Sequence, residues 1–220
     1  MRTMIRRGLL VPIAAVAIFG STNSAAFAES MEATPVEEGI LQPGPPPEEE
    51  EGFESAPSET EELPPTSGKP PADGPSAEYC GPTKHVYKPN ANLGKAHAGI
   101  GVAQANYNAT SRTARSWFKS EVGGEVGVTV SSEVKASASV VVSEVEAKYG
   151  VDLSAKVTAK VGNEIQVDTP PKKTTYAKFG VWRMKNTGIA YTIYSNCTTS
   201  PKKTGTTFSP WCVGWYLWER

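Results

Sequence analysis

Histidine is nearly absent from this chain. His85 and His97 are the only two in 220 residues. They stand twelve positions apart, off the helical spacing that would bring two ligands to one face, and no carboxylate cluster lies near either. No metal site, cofactor or acid–base pair emerges, and the chain reads as a non-enzyme. Gly99-Ile-Gly101-Val-Ala-Gln-Ala lacks the third glycine and the lysine of a phosphate loop. No basic–aromatic interleaving of a nucleic-acid motif is present, so nucleic acid is not an expected partner. Beyond the first thirty residues no apolar run is long enough to cross a bilayer as a helix.

What is present divides the chain into three. Residues 1–28 have the pattern of a signal peptide: Arg2, Arg6 and Arg7, then the apolar run Leu9–Phe19, then Ala26-Phe27-Ala28 as a cleavage motif. A secreted, extracellular protein is expected. Residues 29–79 are rich in Pro, Glu, Ser and Gly, with isolated Ile40, Leu41, Phe53 and Leu63, and predict a disordered acidic segment. It carries fourteen acidic residues and one lysine, whereas residues 80–220 carry eighteen Lys/Arg against nine acids. The acidic segment serves either as a spacer or as an electrostatic shield over the basic domain, limited by a Debye length of ~8 Å. Residues 80–220 are of single-domain size.

Inside that domain, residues 121–168 hold a long two-residue alternation. Val122, Gly124, Val126, Val128, Val130, Val134, Ala136, Ala138, Val140 and Val142 fall on even numbers. After Ser143 the phase flips, with Val145, Ala147, Tyr149, Val151, Leu153, Ala155, Val157, Ala159 and Val161 on odd numbers. A period of two puts successive side chains on opposite faces of a strand. Each half thus predicts an extended ribbon of roughly twenty residues, about 65 Å long, with one apolar face. The other face carries Glu133, Lys135, Lys156 and Lys160. Such a ribbon fits a half-exposed hairpin in a soluble sheet, or two strands of a membrane barrel with valines to lipid and polar residues to a wet lumen.

No two-residue turn sequence joins the halves. Instead, residues 139–149 also fit a helix, since Val141, Val142, Val145 and Tyr149 share one helical face. Ser139 is placed to cap it and Gly150 to end it. The expectation is a short helix or loop near 139–149 that converts to strand.

Around this segment further strands are expected: one using Ile100, Val102 and Gln104, one over 112–122, and one over 176–185 that ends in a turn at Asn186-Thr-Gly188. Another spans 189–194, and Pro170-Pro171 mark a strand break. Asn108-Ala-Thr110 and Asn196-Cys-Thr198 are glycosylation sequons. The closing stretch places Trp211 and Trp215 on one face and Tyr216 and Trp218 on the other, suited to packing, a membrane interface or a ligand platform. Of the three cysteines, Cys80–Cys197 is the favoured disulfide, anchoring the start of the domain, with Cys197–Cys212 as the alternative.

Several of these motifs, in order, resemble the aerolysin / epsilon-toxin / mosquitocidal-toxin family of β-pore-forming proteins. They are Asn108-Ala-Thr110, Trp117-Phe-Lys-Ser120 with Gly127-Val-Thr-Val130, the alternation 121–168, and Val167-Asp-Thr-Pro-Pro-Lys-Lys-Thr-Thr175. The likeness covers roughly 106–194. It implies an elongated all-β fold with long antiparallel strands, secreted as a monomer. It also implies a homo-oligomer on a target membrane, recognised through lipid or a surface receptor, that inserts an amphipathic β-hairpin. The chain departs from the family in lacking a separate receptor-binding domain and, Tyr149 apart, aromatic girdle residues. The competing expectation is a non-perforating envelope protein that holds a glycan or wall polymer through Trp211, Trp215, Tyr216 and Trp218.

Overall fold

The structure is a computed structural model that describes residues 41–47, 52–57 and 80–220. The signal-peptide expectation and most of the acidic segment lie outside these residues. In chain order the elements are β1 (Leu41–Gln42), β2 (Phe53–Ser55), β3 (Lys84–Gly99), β4 (Gln104–Tyr107), β5 (Ala114–Lys119), β6 (Gly124–Gly127), β7 (Thr129–Ser131), α1 (Ala138–Tyr149), β8 (Lys156–Ala159), β9 (Glu164–Thr169), β10 (Thr174–Ile193) and β11 (Lys203–Glu219). The fold is all-β and antiparallel in the main, with one short helix.

The main sheet is built on β10 and β11, whose pairing runs from Thr175 opposite Glu219 to Ala190 opposite Lys203. On the other side of β10 lie β3, from Gly180 to Ile193, and β4, from Thr174 to Ala177. Alternation along β10 and β11 buries Ala177, Phe179, Val181, Trp215 and Leu217 on one face. There they meet Phe118, Val157 and Ala159 from the smaller strands. Tyr176, Trp218, Tyr216, Trp182 and His97 form a second aromatic series, with successive ring centroids 4.9–5.9 Å apart. Gly99, Gly180 and Gly214 stand in register across three strands. A Cβ on Gly180 would lie 2.7 Å from the His97 ring, and one on Gly214 would lie 2.8 Å from Trp182. The missing side chains of Gly180 and Gly214 leave room for these two rings against the sheet backbone.

Two expected breaks are placed differently. No turn interrupts the chain at Asn186-Thr-Gly188: β10 continues through it, and the irregularity is absorbed as register shifts against β3. Asn186 is fully buried, and Gly188 supplies no side chain where the Tyr87 ring crosses, 2.7 Å from a hypothetical Cβ. The expected strand through Ile100, Val102 and Gln104 is cut, because β3 stops at Gly99 and Gly101 turns the chain at φ 73°. Val102 is left 83% exposed.

Two of the isolated apolar residues of the acidic segment are paired into the sheet. β1 runs parallel to β11, with Leu41 opposite Leu217, and β2 runs antiparallel to β7. The expectation of disorder is therefore corrected at Leu41–Gln42 and Phe53–Ser55. Cys80 and Cys197 form the disulfide, with Cα atoms 5.1 Å apart, and Cys212 is buried outside it.

Candidate functional site

Segment 121–168 is not two unbroken ribbons. It contains β6, β7, α1, β8 and all but the last residue of β9, so the expectation of twenty-residue strands is overturned here. The period of two reported which side faces inward, and it carries no information on whether the ladder is continuous.

Sidedness is retained over most of the segment. Val128, Val130, Val134 and Ala136 are buried, while Glu125, Glu133 and Lys135 are exposed. These apolar residues join Tyr87, Met184 and Ala190 of the sheet in one cluster, completed by Val141 and Val145 of α1. Val140, Val142, Tyr149, Val151 and Leu153 pack around it, half-buried. Val126 and Val157 contribute to the other cluster, and Val161 stays exposed. Of the residues expected to face lipid, then, all but Val161 turn toward the protein interior.

The helix follows from its caps. Ser137, rather than Ser139, is the N-cap, its Oγ accepting from Val140 N, and Gly150 ends the helix at φ 64° with its N–H donating to Glu146 O. Ser137 takes this place because its backbone is extended, as an N-cap requires, while Ser139 already lies within the first turn. Lys148 Nζ donates to Pro89 O at 2.6 Å and Asn90 O at 3.0 Å, holding α1 to β3. Gly205 opens the space for Val134, whose Cγ2 would collide with a Cβ there.

On the polar face, Lys156 pairs with Glu125 at 2.8 Å and Glu133 with Lys203 at 2.5 Å. Lys135 and Lys160 are exposed. These pairs are solvent-accessible and contribute little to stability.

The arms of the segment share one alignment. β5 pairs with β9 from Ala114 opposite Thr169 to Lys119 opposite Glu164, and β6 pairs with β8 from Gly124 opposite Ala159 to Gly127 opposite Lys156. In every pair of both ladders the two residue numbers add to the same value. The hydrogen bonds between keep that alignment: Ser120 N donates to Asn163 O at 2.8 Å and Val128 N to Ala155 O at 3.0 Å. Two short sheets are thus pieces of one antiparallel ladder, whose centre of symmetry falls between Val141 and Val142. The phase flip of the sequence, after Ser143, lies two residues further on.

No family model matches the chain, and no curated protein or solved structure is similar to it.

The closing aromatics are committed to packing. Trp215, Tyr216 and Trp218 are buried, and Trp215 Nε1 donates to Asn163 Oδ1 at 2.7 Å. Trp211 is half-buried beneath Lys95, whose Nζ lies 4.4 Å from the ring centroid. Sequence reasoning missed the sheet residues that receive the segment, Tyr87 and Met184, because nothing local to them signals their partner. Among the described residues there is no group of His, Cys, Asp or Glu able to hold a metal, and no helix is long and apolar enough to cross a membrane.

Proposed function

We propose that this chain is a secreted, non-enzymatic β-pore-forming protein of the aerolysin type. In this reading it is a monomer in solution and oligomerises on a target membrane through lipid or a surface receptor. Residues 121–168 then convert from the docked helix-containing form to a membrane-crossing β-hairpin.

One observation supports this above the others: the common alignment of the two short ladders. Continuing it inward sets Val130 opposite Leu153, Val134 opposite Tyr149, Ala136 opposite Ala147 and Ala138 opposite Val145. The same continuation sets Ser131 opposite Asp152, Ser137 opposite Glu146 and Ser139 opposite Glu144. At these pairs apolar meets apolar and polar meets polar. Ser132 opposite Val151, Val140 opposite Ser143 and Lys135 opposite Lys148 depart from the rule. The two-residue turn falls at Val141-Val142, which lacks the residues such turns favour. A slip of one residue in either arm would mix the faces. Agreement at most of the pairs is unneeded in a segment whose only state is a helix packed on a sheet.

Energetics set a condition. Moving Val128, Val130, Val134, Val141 and Val145 from the interior into water costs roughly 7–10 kcal/mol at about 1.5–2 kcal/mol each. That is comparable to the whole stability of many domains. Undocking therefore has to be coupled to burial in lipid or between subunits.

The experiment is planar-bilayer conductance together with a cysteine-attached polarity probe scanned through residues 132–149. The expected result is discrete channels and a probe pattern over 138–149 that changes from helical to alternating on membrane binding. Silent bilayers across neutral and anionic lipids, with the helical pattern retained, would refute the proposal.

A further inference from the structure

Residues 53–57 belong to the acidic segment by composition, yet they grip the docked segment at two points. Phe53, Glu54 and Ser55 pair with Ser131, Val130 and Thr129 of β7. Ala56 N then donates to Val128 O at 2.9 Å, and Pro57 O accepts from Ala138 N at 3.3 Å. The first contact lies where β7 begins and the second where α1 begins. The Phe53 ring meets Phe208 of β11 edge-on at 4.9 Å, and Ala56 packs against the apolar cluster beneath the helix.

β7 needs such a neighbour. It is three residues long and pairs with β11 only at Val130 and Thr129, opposite Thr207 and Phe208. Its other edge would present unpaired N–H and C=O groups, the usual site for an added strand. Leu41 and Gln42 add to β11 in the same manner beside Leu217 and Trp218.

We infer that the outer edge of β7 and β11 is a strand-accepting surface, and that residues 53–57 are its built-in ligand, a clasp holding residues 128–138 on the sheet. Its contacts are backbone hydrogen bonds and an aromatic ring, while Glu54 points to solvent. The clasp therefore acts by pairing and not by charge. At 1 M salt, where the Debye length is ~3 Å, it stays closed, whereas an electrostatic shield would lift. Its bearing on pores rests on the function proposed above: opening the clasp lowers the barrier to undocking.

The test uses the full-length chain with Phe53→Ala and, separately, Ala56→Pro, which removes the donor to Val128 O. Amide hydrogen exchange is followed by mass spectrometry, with dye release from anionic and neutral vesicles as a second reading. The expected result is about tenfold faster exchange over residues 128–138, from loss of roughly one ring's burial, with 174–193 unchanged. Excess synthetic peptide spanning residues 52–57 should restore protection to Phe53→Ala, at low salt and at about 1 M alike. Unchanged exchange over 128–138, equal acceleration throughout the domain, or no rescue by peptide overturns the clasp. Faster, peptide-reversible exchange with vesicles intact in every sample supports the clasp and counts against the pore.

Discussion

Acid should loosen this protein chiefly through one buried imidazole. His97 lies 5% exposed on β3, with Trp182 at 4.9 Å, Tyr216 at 5.6 Å and Gly180 under its ring. Its Nδ1 has no hydrogen-bond partner, and its Nε2 is 3.4 Å from Gly214 O. Burial, with smaller contributions from the positive charges of Lys178 and Arg183, lowers its pKa from 6.5 to about 4, against the pull of the Gly214 carbonyl. Between these two values the unfolded chain binds a proton that the folded chain refuses. The stability associated with neutral His97 is therefore complete above about pH 6.5 and is lost as pH falls toward 4. The lost amount is about 3 kcal/mol at 1.36 kcal/mol per tenfold change. For a domain stable by about 5–15 kcal/mol that is a large fraction.

Burial, and secondarily the charge of Lys135, also lowers the pKa of His85, so the measurement has to be a difference. His97→Gln removes the ionisation and keeps a polar side chain of similar reach. Guanidinium unfolding followed by tryptophan fluorescence, from about pH 7 down to about pH 4, should show the native chain losing about 3 kcal/mol more than the variant. Parallel curves for the two proteins would refute the assignment, because the proton would then be going elsewhere.

Further expectations rest on other contacts. Asn108→Ala should cost about 2–4 kcal/mol, measured by thermal unfolding. The buried amide donates to Arg112 O, Thr169 O and Pro170 O, and its oxygen accepts from the Thr110 N–H and hydroxyl. Ala would lose all of these bonds, although Arg112 O keeps the Thr110 hydroxyl. Reducing Cys80–Cys197, which closes a span of 117 residues, should cost about 4–5 kcal/mol, read as a lower denaturant midpoint with dithiothreitol. Gly205→Ala should displace Val134 and speed proteolysis within 128–138 while leaving β10 intact, since the new methyl falls on Val134 Cγ2. Val145→Asp should cost about 3 kcal/mol or more in the folded monomer, because the carboxylate enters a site with no exposure.

Much of the candidate site could be read before any coordinates. The alternation told which of residues 121–168 turn inward, and the helical face Val141, Val145, Tyr149 with Gly150 after it located α1. What it could not tell was the receiver of those side chains. A run of valines at every second position satisfies a strand, but Val128–Ala136 is held instead by Tyr87, Met184 and Ala190, contributed by strands far away in sequence. The clasp was harder still. Leu41 and Phe53 are lone apolar residues among prolines and glutamates, and composition averages them away. Asn186-Thr-Gly188 has turn chemistry, yet sheet pairing on both sides outweighs it and converts the irregularity into bulges. Asn108 read as a sequon, but its side chain is the interior bolt of the β4–β5 connection.

Because β5 and β6 already lie against β9 and β8, the entropy of bringing the two arms together has been met in the docked state. If the function proposed above holds, only the stretch between Val128 and Ala155 would have to zip, from its closed root toward Val141-Val142. Hairpin formation of that kind takes on the order of microseconds once the residues are released. The slow event in any conversion would then be release from the sheet, and a solution that freed the helix without lipid nearby would leave an adhesive ribbon with nowhere to go but another copy of itself.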